Sequence, residues 1–85
     1  MTDFFNFDEK FKVGTKVFIH NEYGVIIDFK EHGLSTVIRW DTLKENDFED
    51  WFSMWGTFFD MGGEIINKNH QFKYINDDGS LKDKI

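Results

Sequence analysis

Residues 11–41 hold three short runs in which apolar and polar side chains alternate, and no other feature limits the possible folds so tightly. In 16–20, Val17 and Ile19 fall on one side and Lys16, Phe18 and His20 on the other. In 25–30, Val25, Ile27 and Phe29 alternate with Ile26, Asp28 and Lys30. In 35–41, Ile38 and Trp40 alternate with Val37, Arg39 and Asp41. Turn signals at Gly14, Tyr23-Gly24 and His32-Gly33 separate the runs. The glycines fit positions of positive φ or close backbone approach. Alternation of this kind specifies half-buried antiparallel strands, whereas parallel strands read as continuous apolar runs.

The rest of the chain is less explicit. In 42–62, Phe48, Trp51, Phe52, Trp55 and Phe59 recur at helical spacing. Asn46 can cap such a helix, with Glu49 as capping-box partner and Gly56 as its stop. The same stretch is rich in β-favouring rings, so a strand over 48–55 competes; a short helix over 46–56 is the preferred reading. Residues 64–67 and 71–75 read as strands joined by a turn at 68–70, and 76–80 as a further turn. The expected organisation is an N-terminal arm (1–10), a barrel (11–76) and a C-terminal tail (77–85), frayed from Leu81. The expected fold is mainly β: a small barrel of about five antiparallel strands with one short helix or long loop near 46–56.

An 85-residue chain makes one domain with a thin margin of stability, and this one has no cysteine to reinforce it. Eleven Phe, three Trp and two Tyr supply bulk instead. Each buried ring removes about 150–250 Å² from water, and so many rings exceed what a small barrel can enclose. Some are expected outside, as a binding face.

Sixteen acidic residues against ten basic ones give a net charge of −6. The cations are scattered, which disfavours nucleic acid as a partner. Five carboxylates, Asp41, Glu45, Asp47, Glu49 and Asp50, form a local negative field suited to a solvated face or to a basic partner. The N-terminus has no basic n-region, no window is apolar enough to span a membrane, and the expected location is the cytoplasm.

No constellation for catalysis is present. Ser35, Ser53 and Ser80 lack a nucleophile-elbow context. His20, His32 and His70 lack metal-ligand spacing, and Met61-Gly62-Gly63 lacks the lysine of a phosphate cradle. The expectation is no enzyme, no cofactor and no metal.

The residues Phe11, Val13, Gly14, Val17, Tyr23, Gly24 and Ile27, followed by the strand Thr36 to Asp41, resemble the opening signature of SH3-like barrels. Examples are the tudor-like C-terminal domain of UvrD-type helicases and the CarD-type RNA polymerase-interacting domains. The match covers about a third of the chain. Thr15 departs from the usual Asp, and Ile26 replaces the second glycine of the turn, which points to a wider or bulged bend. The resemblance implies a protein-binding barrel, in several relatives one that contacts RNA polymerase, and no catalysis.

The resulting expectation is a small bacterial or phage-type accessory protein that binds a larger protein with a basic or mixed apolar and basic surface. The expected contact set joins Phe18, His20 and Tyr23 to Asp47, Glu49, Asp50, Trp51, Trp55 and Phe58, with Trp51, Trp55 or Phe58 as exposed anchors. A cage for a methylated cation from Tyr23, Trp40 and a carboxylate is a further option. Two rivals are an acidic mimic of DNA phosphates and a direct nucleic-acid binder using Lys10, Lys12, Lys16 and Lys30. A homodimer through an edge strand is compatible with each.

Overall fold

The structure, a computed structural model, describes residues 12–31, 34–52 and 57–82. The expected arm, His32, Gly33, Trp55 and Gly56 lie outside the described residues. The fold is mainly β, as the alternation requires. Strands β1 (Lys16–Ile19), β2 (Glu22–Lys30), β3 (Ser35–Trp40), β4 (Phe48–Trp51) and β5 (Glu64–Ile65) form one antiparallel sheet in the order β4-β3-β2-β1-β5.

The first hairpin turns one step earlier than Tyr23-Gly24. Ile19 pairs with Glu22, and His20 and Asn21 take φ of 54° and 64°. Two consecutive left-handed residues make a type I′ connection, whose twist matches that of the flanking strands. Tyr23 and Gly24 therefore belong to β2. Gly24 is needed for close approach: a Cβ there would sit 2.7 Å from Ile38 and 2.9 Å from Trp40.

One correction to the expected pattern reorganises the core. The register of β2 against β3 shifts between Ile26 and Asp28, leaving Ile27 as the extra residue of a bulge. Past the bulge the alternation changes phase. Phe29 pairs with Thr36 and packs against the cluster of Val17, Ile19, Ile26, Ile38, Trp40, Trp51 and Phe58. It does not join Val25 and Ile27, which face the other side with Phe72, Ile75, Tyr74 and Leu81. The sheet is thus covered on both faces. One face meets Trp51 and Phe58; the other meets the C-terminal segment.

The preferred helix over 46–56 is also corrected. Phe48–Trp51 is a strand paired with β3, Thr36 opposite Trp51 and Arg39 opposite Phe48. Asn46 does not cap a helix; its carbonyl accepts the Phe48 N–H at 2.9 Å in the turn that enters β4. The helical spacing of the rings misled because Phe48 and Phe52 do not share the buried side with Trp51. Ladder bonds to an existing sheet outweigh the intrinsic preference of a short segment.

Residues 71–75 do not form a strand; a single bridge joins Ile75 to Leu81. Polar side chains from the sheet hold this segment instead. Lys16, 4% exposed, donates through Nζ to the carbonyls of Lys68 and His70 at 2.7 Å and pairs with Asp77 at 3.0 Å. Asp41 accepts the Lys73 and Tyr74 N–H groups at 2.8 and 2.7 Å. Arg39, fully buried, donates from Nε to the Gly79 carbonyl. The segment 77–82 is therefore tied to the sheet at Asp77 and Gly79 while most of its residues stay exposed. Within the following turn, the Ser80 hydroxyl and N–H bind the Asp78 carboxylate and hold its pKa below the ordinary value.

Between β4 and β5 the backbone at 57–63 makes a wide turn in which Gly63 N–H reaches the Phe58 carbonyl, five residues back, at 2.9 Å. The Phe58 ring lies flush on Gly63, so a Cβ at that position would overlap it. Gly63→Ala is expected to destabilise by about 1–3 kcal/mol, the usual cost of overpacking. A urea midpoint unchanged from wild type would contradict that packing.

Candidate protein-interaction surface

The structure separates the sequence-predicted contact residues into two patches and a buried set. Trp51 and Phe58, expected as exposed anchors, are buried; their rings meet edge-on at 5.3 Å in the core. Burial follows from alternation on β4, which turns Trp51 inward opposite Thr36. Trp55 lies outside the described residues.

The first patch is built on β1 and β2. Phe18 and Tyr23 are cross-strand partners with ring centroids 4.6 Å apart. Tyr23 stacks on His70 at 4.3 Å, and His70 meets Phe72 edge-on at 5.3 Å. Lys16 anchors His70 by donating from Nζ to its carbonyl, so a buried cation places this ring. Two open clefts flank the stack and share Tyr23 and His70. One, of about 330 Å³, is bordered by Ile66, Asn67 and Asn69. The other, of about 310 Å³, includes Glu22, Asp41 and Tyr74. His20 is exposed on the hairpin turn. Trp40 cannot complete a cage with Tyr23. It is buried on the opposite face of the sheet, with its Nε1 donating to Glu49 at 3.0 Å.

The second patch comprises β4 and Phe52 at its end. Phe48 is 46% exposed and Phe52 67% exposed. Phe48, Asp50 and Phe52 project to one side of the strand, away from Trp51. On the neighbouring turn Phe59 and Met61 are exposed, and Thr57 Oγ1 donates to the Phe52 carbonyl at 3.2 Å. The carboxylates divide into structural and solvated members. Asp41 holds the C-terminal segment, Asp47 accepts from Thr42 Oγ1 at 2.6 Å, and Glu49 accepts from Trp40 Nε1. Glu45 and Asp50 have no hydrogen-bond or ion-pair partner among the described residues.

Strands β1 and β4 are separated by β2 and β3. Three steps of about 4.8 Å put them roughly 14 Å apart. The predicted joint surface is therefore two surfaces. Sequence reasoning missed Phe48 and Phe52 as exposed rings and His70 and Tyr74 as cleft residues. Strand alternation over 48–52 was the available signal for the first pair. Nothing local marks His70, whose place depends on Lys16, 54 residues away in sequence.

Other chemistry finds little support here. Of the four lysines of the nucleic-acid reading, Lys16 is buried and bound to three oxygens, and Lys30 pairs with Asp28 at 3.6 Å. Among the described residues no group of three or more His, Cys, Asp or Glu is arranged to hold a metal ion. No helix among them is long and apolar enough to cross a membrane. The sequence matches no protein-family model, and comparison with curated proteins and with solved structures finds no similar chain.

Proposed function

We propose that the chain is a non-catalytic protein-binding module, of the small accessory-protein kind, whose partner presents a basic or mixed apolar and basic surface. The observation that carries this reading is the β4 patch, where large apolar side chains, Phe48 and Phe52, stand in solvent beside Asp50. Exposed apolar rings are costly to leave in water, and they anchor interfaces well because they bury much area with little loss of side-chain freedom. The net charge of −6 steers basic partners toward the chain. The resemblance of 11–41 to SH3-like barrels points the same way. The phosphate-mimic reading draws less support, since Asp41, Asp47 and Glu49 are engaged in internal hydrogen bonds.

Affinity capture with the intact chain from bacterial lysates tests the proposal. Wild type is expected to retain a specific protein that the Phe48→Ser/Phe52→Ser double variant retains at least about tenfold less, the equivalent of one modest hot spot. Both substitutions are at exposed positions, so circular dichroism should show the variant folded. Equal capture by the two proteins would refute the assignment of the patch.

A further inference from the structure

The backbone of β4 has a directionality that its side chains alone do not reveal. The Trp40 N–H donates to the Asp47 carbonyl at 2.9 Å, and the pairing continues through Arg39–Phe48, Ile38–Glu49, Val37–Asp50 and Thr36–Trp51. In an antiparallel ladder, hydrogen-bonded pairs alternate with non-bonded pairs. A bonded pair at Trp40–Asp47 makes Ile38–Glu49 and Thr36–Trp51 the bonded pairs of β4. The N–H and C=O groups of Phe48 and Asp50 consequently point away from β3. The Phe48 N–H is taken by the Asn46 carbonyl. The Phe48 C=O and both backbone groups of Asp50 remain along the outer side of β4, which is an edge of the sheet.

We infer that this outer edge of β4 accepts an extended, basic segment of a partner protein as an added sixth strand. The inference rests on the protein-binding reading and specifies how the partner is held: main-chain hydrogen bonds to Asp50 and Phe48, with side-chain selection by the residues between and beside them. Charge selects the occupant. Glu49 and Asp50 project from opposite sides of the strand, and neither is paired with a cation among the described residues. A lysine or arginine across from each forms an opposite-charge cross-strand pair. Phe48 and Phe52 offer apolar contact to residues flanking those cations.

A second copy of this chain meets like charges in most registers of the same edge. Outward residues must pair with outward residues, which limits a symmetric antiparallel β4–β4 pairing to those centred on a residue. Centred on Asp50, it places Asp50 opposite Asp50 of the other copy. Centred on Glu49, it places Glu49 opposite Glu49. Centred on Phe48, it places Asp47 opposite Glu49. Centred on Trp51, it sets Asp50 opposite Phe52 and gains no charge pair. Like charges directly opposite destabilise a ladder. The carboxylates that admit a basic strand therefore disfavour three of these four self-pairings.

The test uses the intact chain, labelled with ¹⁵N, and a blocked hexapeptide, Thr-Val-Lys-Lys-Val-Thr, at millimolar concentration. The controls carry glutamate in place of lysine, or proline in place of the first lysine. The basic peptide is expected to shift amide signals of 48–52 and to slow hydrogen exchange at the Asp50 N–H by about tenfold or more at saturation, as a newly bonded amide should. The acidic and proline peptides are expected to do neither. Asp50→Lys should weaken the basic peptide about tenfold and let the acidic one bind, because the charge pair reverses sign. Three results would overturn the inference: shifts confined to other residues, equal effects of the basic and acidic peptides, or wild-type dimerisation through β4. Lysate capture that still depends on Phe48 and Phe52 while the peptide leaves the Asp50 N–H unprotected would sink the strand-addition mode and leave the protein-binding reading standing.

Discussion

Phe58→Ala is expected to remove a large part of the stability margin of the chain at 25 °C. Phe58 has no solvent exposure, meets Trp51 edge-on at 5.3 Å, and closes the cluster formed by Val17, Ile19, Ile26, Ile38 and Trp40. Truncating a buried Phe to Ala costs about 3–5 kcal/mol. A domain of this length has about 4–13 kcal/mol of net stability, with small domains toward the low end. The cavity would open beneath Gly63, whose backbone is already in contact with the ring, so collapse around the lost volume is restricted. Phe58→Leu should recover much of the loss, since it keeps most of the apolar volume. Urea denaturation followed by tryptophan fluorescence reads both variants. A Phe58→Ala protein within about 1 kcal/mol of wild type would mean that this ring is not central to the core.

Arg39→Met should cost about 2–4 kcal/mol, the sum expected when buried carbonyls lose a charged donor. The wild-type guanidinium is fully buried and pairs with no carboxylate among the described residues. It is held by the carbonyls of Thr42 at 3.2 Å, Lys44 at 2.5 Å and Gly79 at 3.3 Å, and its carbon lies 5.6 Å from the Phe48 ring centre. Nη1 has no hydrogen-bond partner among the described residues. The side chain joins the loop before β4 to the C-terminal segment, so its removal should loosen both. Arg39→Lys should restore little, because one ammonium cannot span three acceptors set in a planar fork. Chemical denaturation supplies the energy, and amide exchange at 42–44 and 79 supplies the location. If Met at this position is tolerated without loss, as happens when apolar side chains replace some buried charges, the carbonyl cage contributes specificity of conformation alone.

Much of the sheet was legible in the sequence because strands β1 and β3 alternate, and Val17, Ile19, Ile38 and Trp40 are buried as that alternation requires. What escaped was decided at a distance. The Ile27 bulge reverses the face of Phe29, and a period-two reading has no way to register one inserted residue. Residues 48–52 satisfy helical and strand templates alike, and pairing with β3 decides between them. The candidate surface was legible in kind, as surplus rings beside carboxylates. Its members were not, because Trp51 and Phe58 are the rings that the core takes and Phe48 and Phe52 are the ones it leaves. The acidic run shows the same division. Composition cannot distinguish Asp41, committed to two backbone amides, from Asp50, committed to none among the described residues.

The clamps formed by Lys16, Asp41 and Arg39 also set an order of events during synthesis. These residues emerge early, yet the side-chain partners of Lys16 and Asp41, and one of the three of Arg39, lie at 68–79. Until that stretch has left the ribosome, Lys16 and Asp41 stand on a half-made sheet without these counterparts, and Val25 lacks Phe72 and Ile75. Closure of the second core cluster therefore waits for residues 68–79 to emerge, which makes that interval the one in which a chaperone has most to hold.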